Sequence, residues 1–591
     1  MIEPRIYRAA FVPALIAVVV AMFSLQSRPP PLPQGLAADV LFDGRLTVPA
    51  IDRIVAAAPD RRPGTTGDLR TAALVARTLG ARGFAVERDR FSAQGKQLVN
   101  VIGRRAGKTQ RQIVVVAARD ARSVPDATGS ASDTAALFEL ARVFQGRPTQ
   151  KTLVLASVDG SALGELGARR LAGELGGRRA VDGVIVLSEL GARLRSGSSI
   201  VAWSNDSSRT SIGLERTLAE SVRLELGGAG PSARVGGQLA RLGFPVGIGG
   251  QGVLLESGYD AVRLSGSGEL PPKGPGRLSA LDEARLGALG RAVLRTVSAL
   301  DQGPPPRHGP PTYVTVAGQV LAGWAVSALA FALLFPALLA AVDAFARARR
   351  RHHPVRPSLG LIGARALSLV AVVAVAQLLG AFGAIPDPPA PVPPAENPLH
   401  GGAIAVLLCL TALGAGLWWA SRRLAVRGNP VLRDPGEPGA ACAAALVLDA
   451  AALALWVVNP YAALLLVPAV HLWMLATLTG ERPRRGARLV LVGVGALPIA
   501  AVAGYYLVRL SIDPVTGLWY LLVLVSGDSV GILTALTGCA VLAVLGMVVW
   551  IARRPDRPAA AGRPAENARV SRLGREAGPE ALGETGSTLR G

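Results

Sequence analysis

Seven long apolar runs in the C-terminal half restrict what this chain can fold into more than any other feature. They lie near residues 318–342, 360–384, 402–420, 439–458, 461–479, 488–510 and 530–552. Each is close to the length that an α-helix needs to cross the hydrocarbon core of a membrane. A hydrophobic fraction of 50% and a mean hydropathy of +0.38 agree with a chain that lies partly in lipid.

Arginines gather in alternate loops between these runs, which predicts their orientation. The segments ARARRRHHPVRP, SRRLAVRGNPVLR, ERPRRGAR and ARRPDR follow the first, third, fifth and seventh runs, while the short loops between the others carry no basic residue. Because basic loops stay on the cytoplasmic side, the chain after the seventh run is predicted to be cytoplasmic. The segment Gly517–Ser529 is interpreted as an interfacial or re-entrant piece, and this would change the number of crossings.

A further apolar run, Ala9–Leu25, follows Arg5 and Arg8 near the N-terminus. A cleaved signal peptide is the alternative, but no small-x-small cleavage site closely follows the run. We interpret it as a signal anchor, which gives eight crossings in a plasma membrane of the bacterial type. Both termini are then cytoplasmic, and residues from about 30 to 317 are extracytoplasmic.

The net charge of +22 does not indicate a nucleic-acid partner. Only four of the 63 basic residues are lysine, and many arginines adjoin apolar runs, as the positive-inside bias predicts. The three cysteines, Cys409, Cys442 and Cys539, all lie in apolar runs, so they predict neither disulfides outside the membrane nor a zinc site. The bilayer is therefore the partner that composition indicates.

Residues 40–303 have a different character, in which strand-like runs such as QIVVVAA and KTLVLASV alternate with amphipathic helical patterns. This alternation predicts an α/β domain with a mostly parallel sheet and helices on both faces. The predicted organisation is an anchor at 1–30, the α/β domain at 40–303, about seven membrane helices at 318–552 and a disordered cytoplasmic tail at 553–591.

Several stretches of the α/β region occur in the order found in a known enzyme family. They are PGTTGDLRTAALVARTLGARGF, LVNVIGRRAG, IVVVAARDARSVPDATGSASDTAALFELA, TLVLASVDGSALGELGARRLA and ESGYDAVRLSGSGE. Together they resemble the di-zinc aminopeptidase and glutamate carboxypeptidase family, peptidase clan MH. The resemblance implies a zinc-aminopeptidase-like fold. In active members it also implies two zinc ions held by histidines and carboxylates, with a glutamate as general base.

The positions to which the resemblance assigns metal ligands and the general base hold other residues here. These positions are Arg119, Ala121, Gly129, Ser161, Ala162 and Ser188. Arginine has only hydrogen-bond donors and stays protonated, so it cannot ligate zinc. The five histidines of the chain, residues 308, 352, 353, 400 and 471, all lie outside residues 40–303. We therefore expect no zinc cofactor and interpret the domain as a degenerate member of the family, a pseudo-enzyme.

The remaining charged side chains near the predicted strand ends are candidates for binding a ligand. They are Arg119 and the acids Asp120, Asp126, Asp133, Asp159, Glu165 and Glu189. Solvated loop acids and helix caps are the simplest interpretation, and a carboxylate site for a hard cation such as calcium is the alternative. Arg119 has two interpretations as well: it binds a carboxylate or phosphate, or it forms a salt bridge to Asp126 or Asp159.

Ionisable residues inside predicted membrane spans are functional candidates. Asp449 and His471 lie on neighbouring predicted helices, where an interhelical bond between them is expected and a proton or ion relay is the alternative. Arg365 lies near the end of its span, where snorkelling to the membrane surface is the simple interpretation.

Three hypotheses for function remain. The architecture resembles the non-catalytic membrane subunit of the glycosylphosphatidylinositol transamidase, which favours a non-enzymatic binding or assembly subunit for a protein, peptide or lipid-linked partner. The second hypothesis is a membrane-bound zinc metallopeptidase with a non-standard site. The third is a transporter with an outer regulatory domain, but no internal repeat of the spans supports it.

Overall fold

The structure is a computed structural model, and it describes most of the chain. The described residues are 7–8, 10–34, 41–193, 199–228, 230, 233–272, 274–304, 309–434, 437–477 and 484–555. Most of the tail that the sequence predicts to be disordered, residues 556–591, lies outside them. His308 also lies outside the described residues.

The chain starts with an apolar helix, passes through an α/β domain and continues into a helical region. The first elements are α1 (Phe11–Phe23) and β1 (Gln26–Ser27). The helices of the domain are α2 (Val48–Ala57), α3 (Thr66–Ala81), α4 (Ser132–Phe144), α5 (Leu166–Glu174), α6 (Ile212–Leu226), α7 (Val235–Gly243), α8 (Gly250–Glu256) and α9 (Glu283–Gln302). Its strands are β2 (Ala85–Ala93), β3 (Lys96–Arg105), β4 (Thr109–Ala118), β5 (Lys151–Val158), β6 (Val181–Ser188), β7 (Ile200–Val201) and β8 (Ala261–Ser265).

The seven strands form one mixed sheet in the order β2-β3-β5-β4-β6-β8-β7. The four central strands β5, β4, β6 and β8 are parallel, while β2, β3 and β7 pair antiparallel at the edges. The predicted α/β class is confirmed, but the sheet is parallel only in its centre. Because the central strands are parallel, their carboxyl ends meet at one edge of the sheet.

Helices cover both faces of the sheet, as the apolar strand runs predict. Along β4, Ile113 and Val115 face the core that contains α2, α3, α4 and α9, whereas Val114 and Val116 face the core that contains α5 and α8. A strand buried on both faces shows a continuous apolar run because each face needs apolar side chains. The Thr65 hydroxyl accepts a hydrogen bond from the Asp68 amide at 3.3 Å and so caps α3.

The helical region follows a short hairpin, β9 (Tyr313–Val316) and β10 (Gln319–Ala322). β1 adds to this hairpin and gives a small three-stranded sheet in the order β1-β10-β9. The later helices are α10 (Gly323–Arg350), α11 (Arg356–Ala381), α12 (Gly401–Gly428), α13 (Pro438–Val458), α14 (Pro460–Ala476), α15 (Arg485–Leu510), α16 (Pro514–Ser526) and α17 (Ile532–Ala552).

Six of the described helices are long and apolar enough to cross a membrane, namely α10, α11, α12, α13, α15 and α17. The predicted spans at 9–25 and 461–479 form the shorter helices α1 and α14, with 13 and 17 residues. Thirteen helical residues measure roughly 20 Å, less than the hydrocarbon core. Six of the eight predicted crossings are thus supported by helix length and composition, and the orientation stays a prediction. The segment interpreted as interfacial or re-entrant lies mostly in α16, which has 13 residues.

The α/β domain rests on the helical region through polar contacts. Glu269 accepts hydrogen bonds from Arg241 in α7 and from Arg509 in α15, the latter at 2.6 Å. Asn459, at the start of α14, donates to the Leu242 carbonyl at 2.7 Å, and the Tyr506 hydroxyl donates to the Phe244 carbonyl at 2.5 Å. These bonds hold the C-terminal end of α7 against α14 and α15.

Candidate functional site

A small cavity lies at the carboxyl ends of β4, β6 and β8, the edge where open α/β sheets keep their ligands. Its volume is about 40 Å³, which is room for roughly three waters. The polar side chains that line it are Asp120, Arg122, Asp126, Ser130, Asp133, Ser161, Glu165, Ser188, Glu189 and Arg263. Five carboxylates and two guanidinium groups therefore share one small, largely buried space.

Asp120 is the second residue after the end of β4 and is 1% exposed. Its Oδ2 accepts hydrogen bonds from the Ser161 hydroxyl and from the Ala162 amide, both at 3.0 Å. Its Oδ1 is buried and has no hydrogen-bond partner. A buried carboxylate oxygen without a partner carries a desolvation cost, so Asp120 is the cavity acid with the greatest need for a proton or a cation.

Gly129 makes room for two of the acids. A Cβ atom at this position would lie 2.7 Å from Glu189 Oε2 and would overlap Asp126 Oδ1 still more closely. The carboxylates of Asp126 and Glu189 thus fill the space that a side chain at 129 would need. Asp126 is held there by the Ser130 amide at 3.0 Å and by the Ser130 hydroxyl at 2.6 Å.

Asp126 and Glu189 both have left-handed backbone conformations, with φ of 53° and 54°, and Glu165 has φ of 59°. Such conformations are uncommon for residues other than glycine, and they cluster where a fold holds side chains at a functional site. Three of the five cavity acids are therefore positioned by strained backbone.

Two arginines face the cavity. Arg122 Nη2 donates to Glu165 Oε1 at 2.8 Å and to the Ser161 carbonyl at 3.1 Å, and its Nη1 pairs with Glu396 from the loop between α11 and α12. Arg263 in β8 donates to the Glu269 carbonyl at 2.8 Å. Burial acts to lower the pKa of Arg122, but the nearby carboxylates outweigh this effect and raise it.

Arg119 lies behind the cavity and does not line it. Its side chain is fully buried and forms salt bridges to Asp68 at 2.8 Å and to Asp159 at 3.1 Å. It also donates to the Ser157 carbonyl at 3.2 Å. The expected ion pair thus forms with Asp159, but its second partner is Asp68 and not Asp126. The cations that can meet a ligand in the cavity are Arg122 and Arg263.

Burial raises the pKa values of the cavity acids. The pKa of Asp133 rises to about 8, although hydrogen bonds from the Leu190 and Glu189 amides oppose the shift. The pKa of Glu165 rises to about 7, and that of Asp159, behind the cavity, also to about 7. Desolvation also raises the pKa of Glu189, and repulsion from Asp126 adds to it. Asp133 therefore holds a proton at neutral pH, and Glu165 holds one about half of the time, unless a cation replaces these protons.

The other positions that the sequence assigned to lost ligands lie close together. Ser161 and Ser188 line the cavity, and Ala162 contributes its amide to Asp120. Ala121 is fully buried, and its amide donates to the Arg61 carbonyl at 2.9 Å. The sequence reasoning named these positions and the acids near them, but it did not name Arg61, Asp68, Arg263 or Glu396, and it did not treat Arg122 as a binding residue.

The described residues do not fit the zinc ions that the family resemblance implies. Among them no group of three or more histidine, cysteine, aspartate or glutamate side chains is arranged to hold a metal ion. The four described histidines lie in the helical region, and Arg119 occupies the place assigned to the first histidine ligand. We therefore derive no chemical step through zinc.

The expected bond between Asp449 and His471 does not form. His471 Nδ1 contacts the Tyr7 hydroxyl at 2.5 Å, and its Nε2 contacts the Leu333 carbonyl at 2.9 Å. Both carboxylate oxygens of Asp449 are buried without a hydrogen-bond partner. Arg365 is 4% exposed and its guanidinium lies over the Trp418 ring at 4.8 Å, so it packs against α12, and its snorkelling to the membrane surface stays a prediction. Local sequence gives helix neighbours but not the direction of each side chain.

No family model and no curated protein matches this chain. Among solved structures it is similar to a zinc aminopeptidase from Bacillus subtilis, with 14% identity, 43% of this chain and 94% of that chain covered, and a TM-score of 0.36. A leucine aminopeptidase precursor from Bacteroides thetaiotaomicron gives 15% identity, coverage of 45% and 99%, and a TM-score of 0.36. A glutaminyl cyclase from Porphyromonas gingivalis gives 17% identity, with 44% of this chain and 98% of that chain covered and a TM-score of 0.34. Likeness at these values carries no conclusion about chemistry, which must come from the site itself.

Proposed function

We propose that this chain is a multi-pass membrane protein whose α/β domain binds or assembles a partner and does not hydrolyse peptides. The observation that carries the proposal is Arg119, which is fully buried between Asp68 and Asp159. In the family resemblance this is the place of the first histidine ligand. A guanidinium group there supplies the positive charge that a metal ion would otherwise supply.

The surrounding side chains favour this interpretation. Arg119 has no lone pair to offer a metal and no exposed surface through which a substrate would reach it. The place assigned to the general base is Ser161, whose hydroxyl is engaged with Asp120. No histidine among the described residues is hydrogen-bonded to a serine, as a base that activates a serine would be. The scaffold keeps a binding crevice but lacks the parts of a hydrolase.

The partner is proposed to be a protein, a peptide or a lipid-linked molecule at the plasma membrane. The cavity itself is too small for a peptide chain, so only one small group of a partner would enter it. Purification of the full chain from membranes, followed by identification of bound proteins and lipids, tests this part of the proposal. A partner should be lost from the variants that disturb the cavity mouth and retained by variants elsewhere on the domain.

Zinc content and peptidase activity test the loss of catalysis. The full chain in detergent is expected to contain no stoichiometric zinc and to leave aminoacyl and peptide substrates intact. An authentic zinc aminopeptidase, treated in the same detergent, is the positive control. Two bound zinc ions per chain, or hydrolysis that a chelator abolishes and zinc restores, would contradict the proposal.

A second candidate is a metallopeptidase with a non-standard site, and one observation favours it. Asp120 Oδ1 is buried in the cavity wall without a partner, and a cation would satisfy it. The same elemental measurement separates the two candidates. Calcium or another hard cation in the purified chain, without peptidase activity, would indicate a structural cation site.

A further inference from the structure

The loop between α11 and α12 contributes Pro393 to the cavity wall and contacts both parts of the molecule. We call residues 385–397 of this loop the strap. It contains six prolines, and most of its residues are buried or half-buried. Proline fixes φ and removes conformational freedom, so the strap is a stiff segment despite its lack of regular structure.

One side of the strap is attached to the α/β domain. Glu396 forms an ion pair with Arg122, and Pro393 forms part of the cavity wall. Arg169 donates to the Pro389 carbonyl at 2.9 Å. Gly164, with φ of +83°, lies so close to Pro389 that a Cβ atom would meet the proline Cδ at 2.6 Å. The strap is therefore fitted against the domain and not merely near it.

The other side of the strap is attached to α16. The Tyr520 hydroxyl donates to the Val392 carbonyl at 2.8 Å, and Trp519 Nε1 donates to the Asn397 carbonyl at 3.1 Å. Beyond the end of α16, Gly527 packs directly on Pro388. Any shift of α16 relative to the domain must strain one set of these contacts.

Glu396 is an acid placed where five cavity acids already lie. In the part of the chain that the structure describes, its ion-pair partner is Arg122, which it shares with Glu165. An additional carboxylate beside an acid-rich cavity is unfavourable unless the cation holds it there. The Arg122–Glu396 pair is thus the contact that keeps this end of the strap closed.

We propose that the strap is a closing device: it covers the entrance of the cavity, Glu396 on Arg122 latches it, and a partner reaches the cavity only after displacing it. The group that takes the place of Glu396 on Arg122 is then an anion, such as a carboxylate or phosphate. This goes beyond the proposed function and does not rest on it. The strap would close the cavity whether or not the domain is an enzyme.

Thiol labelling of the full chain in detergent tests the closing device. The probe is Ser188→Cys, on the cavity wall, in a background in which Cys409, Cys442 and Cys539 are changed to serine. N-ethylmaleimide is larger than the closed cavity, so the cysteine is expected to react slowly. Glu396→Gln removes the latch and keeps the side-chain size, and it should raise the labelling rate about tenfold or more, as expected for the loss of a charge-assisted bond.

The control for charge is Asp387→Asn, because Asp387 lies on the same strap, is exposed and forms no ion pair with the described residues. It should leave the rate unchanged. Ser92→Cys, on exposed β2, gives the rate of an open thiol. Similar rates for Ser188→Cys and Ser92→Cys in the latched protein would overturn the proposal, as would an unchanged rate in Glu396→Gln.

If Glu396→Gln fails to fold, Tyr520→Phe loosens the opposite attachment by removing one hydrogen bond. It too should raise the rate at Ser188→Cys. An unchanged rate in a folded Tyr520→Phe variant would overturn the proposal. Zinc content and peptidase activity are measured separately, so failure of the closing device and failure of the proposed function give different results.

Discussion

Replacing Arg119 with methionine should destabilise the α/β domain strongly. The change removes a fully buried guanidinium and leaves two buried carboxylates, Asp68 and Asp159, without their cation. It also removes the hydrogen bond to the Ser157 carbonyl. Breaking a buried ion pair in this way costs about 3–5 kcal/mol. Arg119→Lys keeps the positive charge but can reach fewer of these partners, so it should lower the free energy of unfolding less than Arg119→Met does.

The loss should depend on pH. The pKa of Asp159 is raised to about 7, mainly by burial and despite the attraction of Arg119. At pH 8 the acid is charged and needs the arginine, whereas at pH 5 it holds a proton and needs it less. The difference in unfolding free energy between the wild-type protein and Arg119→Met should therefore be largest at pH 8 and clearly smaller at pH 5.

Hydrogen–deuterium exchange of the full chain in detergent measures this difference in the amides of β4 and β5. Arg62→Met is the matched control, because Arg62 forms an exposed pair with Asp60 at 2.8 Å, and exposed pairs contribute only about 0–1 kcal/mol. The reasoning would be refuted if, at pH 8, Arg119→Met lowered the free energy of unfolding no more than Arg62→Met does. A loss that is the same at both pH values would refute the electrostatic part.

Three further predictions concern the cavity and the contact between the domain and the helices. Gly129→Asp should lower the melting temperature and should not lead to zinc binding, because its Cβ would overlap the neighbouring carboxylates. The control is Gly173→Asp, whose Cβ would meet no neighbour, and both variants are compared by thermal unfolding and by zinc content. Burial raises the pKa of Asp133 to about 8 and that of Glu165 to about 7, above their unfolded values, so folding stability should fall as pH rises from about 4 to 8, and calorimetry that finds a rise would contradict this. Glu269→Gln should lower the free energy of unfolding of the domain by about 3 kcal/mol or more, because Arg241 and Arg509 lose their shared partner, and faster hydrogen–deuterium exchange in α7 would show it. Burial acts to raise the pKa of Glu269, but the two arginines outweigh it and lower this pKa to about 2. The stability that Glu269 contributes is therefore complete above about pH 5 and is lost as the pH falls toward 2.

The fold class follows from local sequence because its signals are local. The run around Val114 and Val116 is apolar on both strand faces, and both faces are covered. The cap at Thr65 is also a signal of a few residues. The C-terminal end of α1 was not predictable in this way. The helix ends at Phe23 because the chain then forms β1, and β1 pairs with β10, which lies almost 300 residues later in the chain.

The charged partners of the site could not be predicted for the same reason. Asp68 lies 51 residues before Arg119, and Glu396 lies 274 residues after Arg122. No periodicity joins such residues, and only the packed structure brings them together. The lack of histidine in residues 40–303, in contrast, is a property of composition, so it can be read from the sequence without knowledge of any contact.

The small sheet formed by β1, β9 and β10 has a consequence for how this molecule could be built and altered. It brings the two ends of the α/β domain together beside α1 and α10, which pack against each other. In topology the domain is therefore an insertion into a helical hairpin, and the chain enters and leaves it at neighbouring points of the backbone, where Ser27 pairs with Gln319. A short linker between residues 27 and 319 would therefore keep the order of the membrane helices, and the contacts of the domain with α14 and α15 are what its removal would cost.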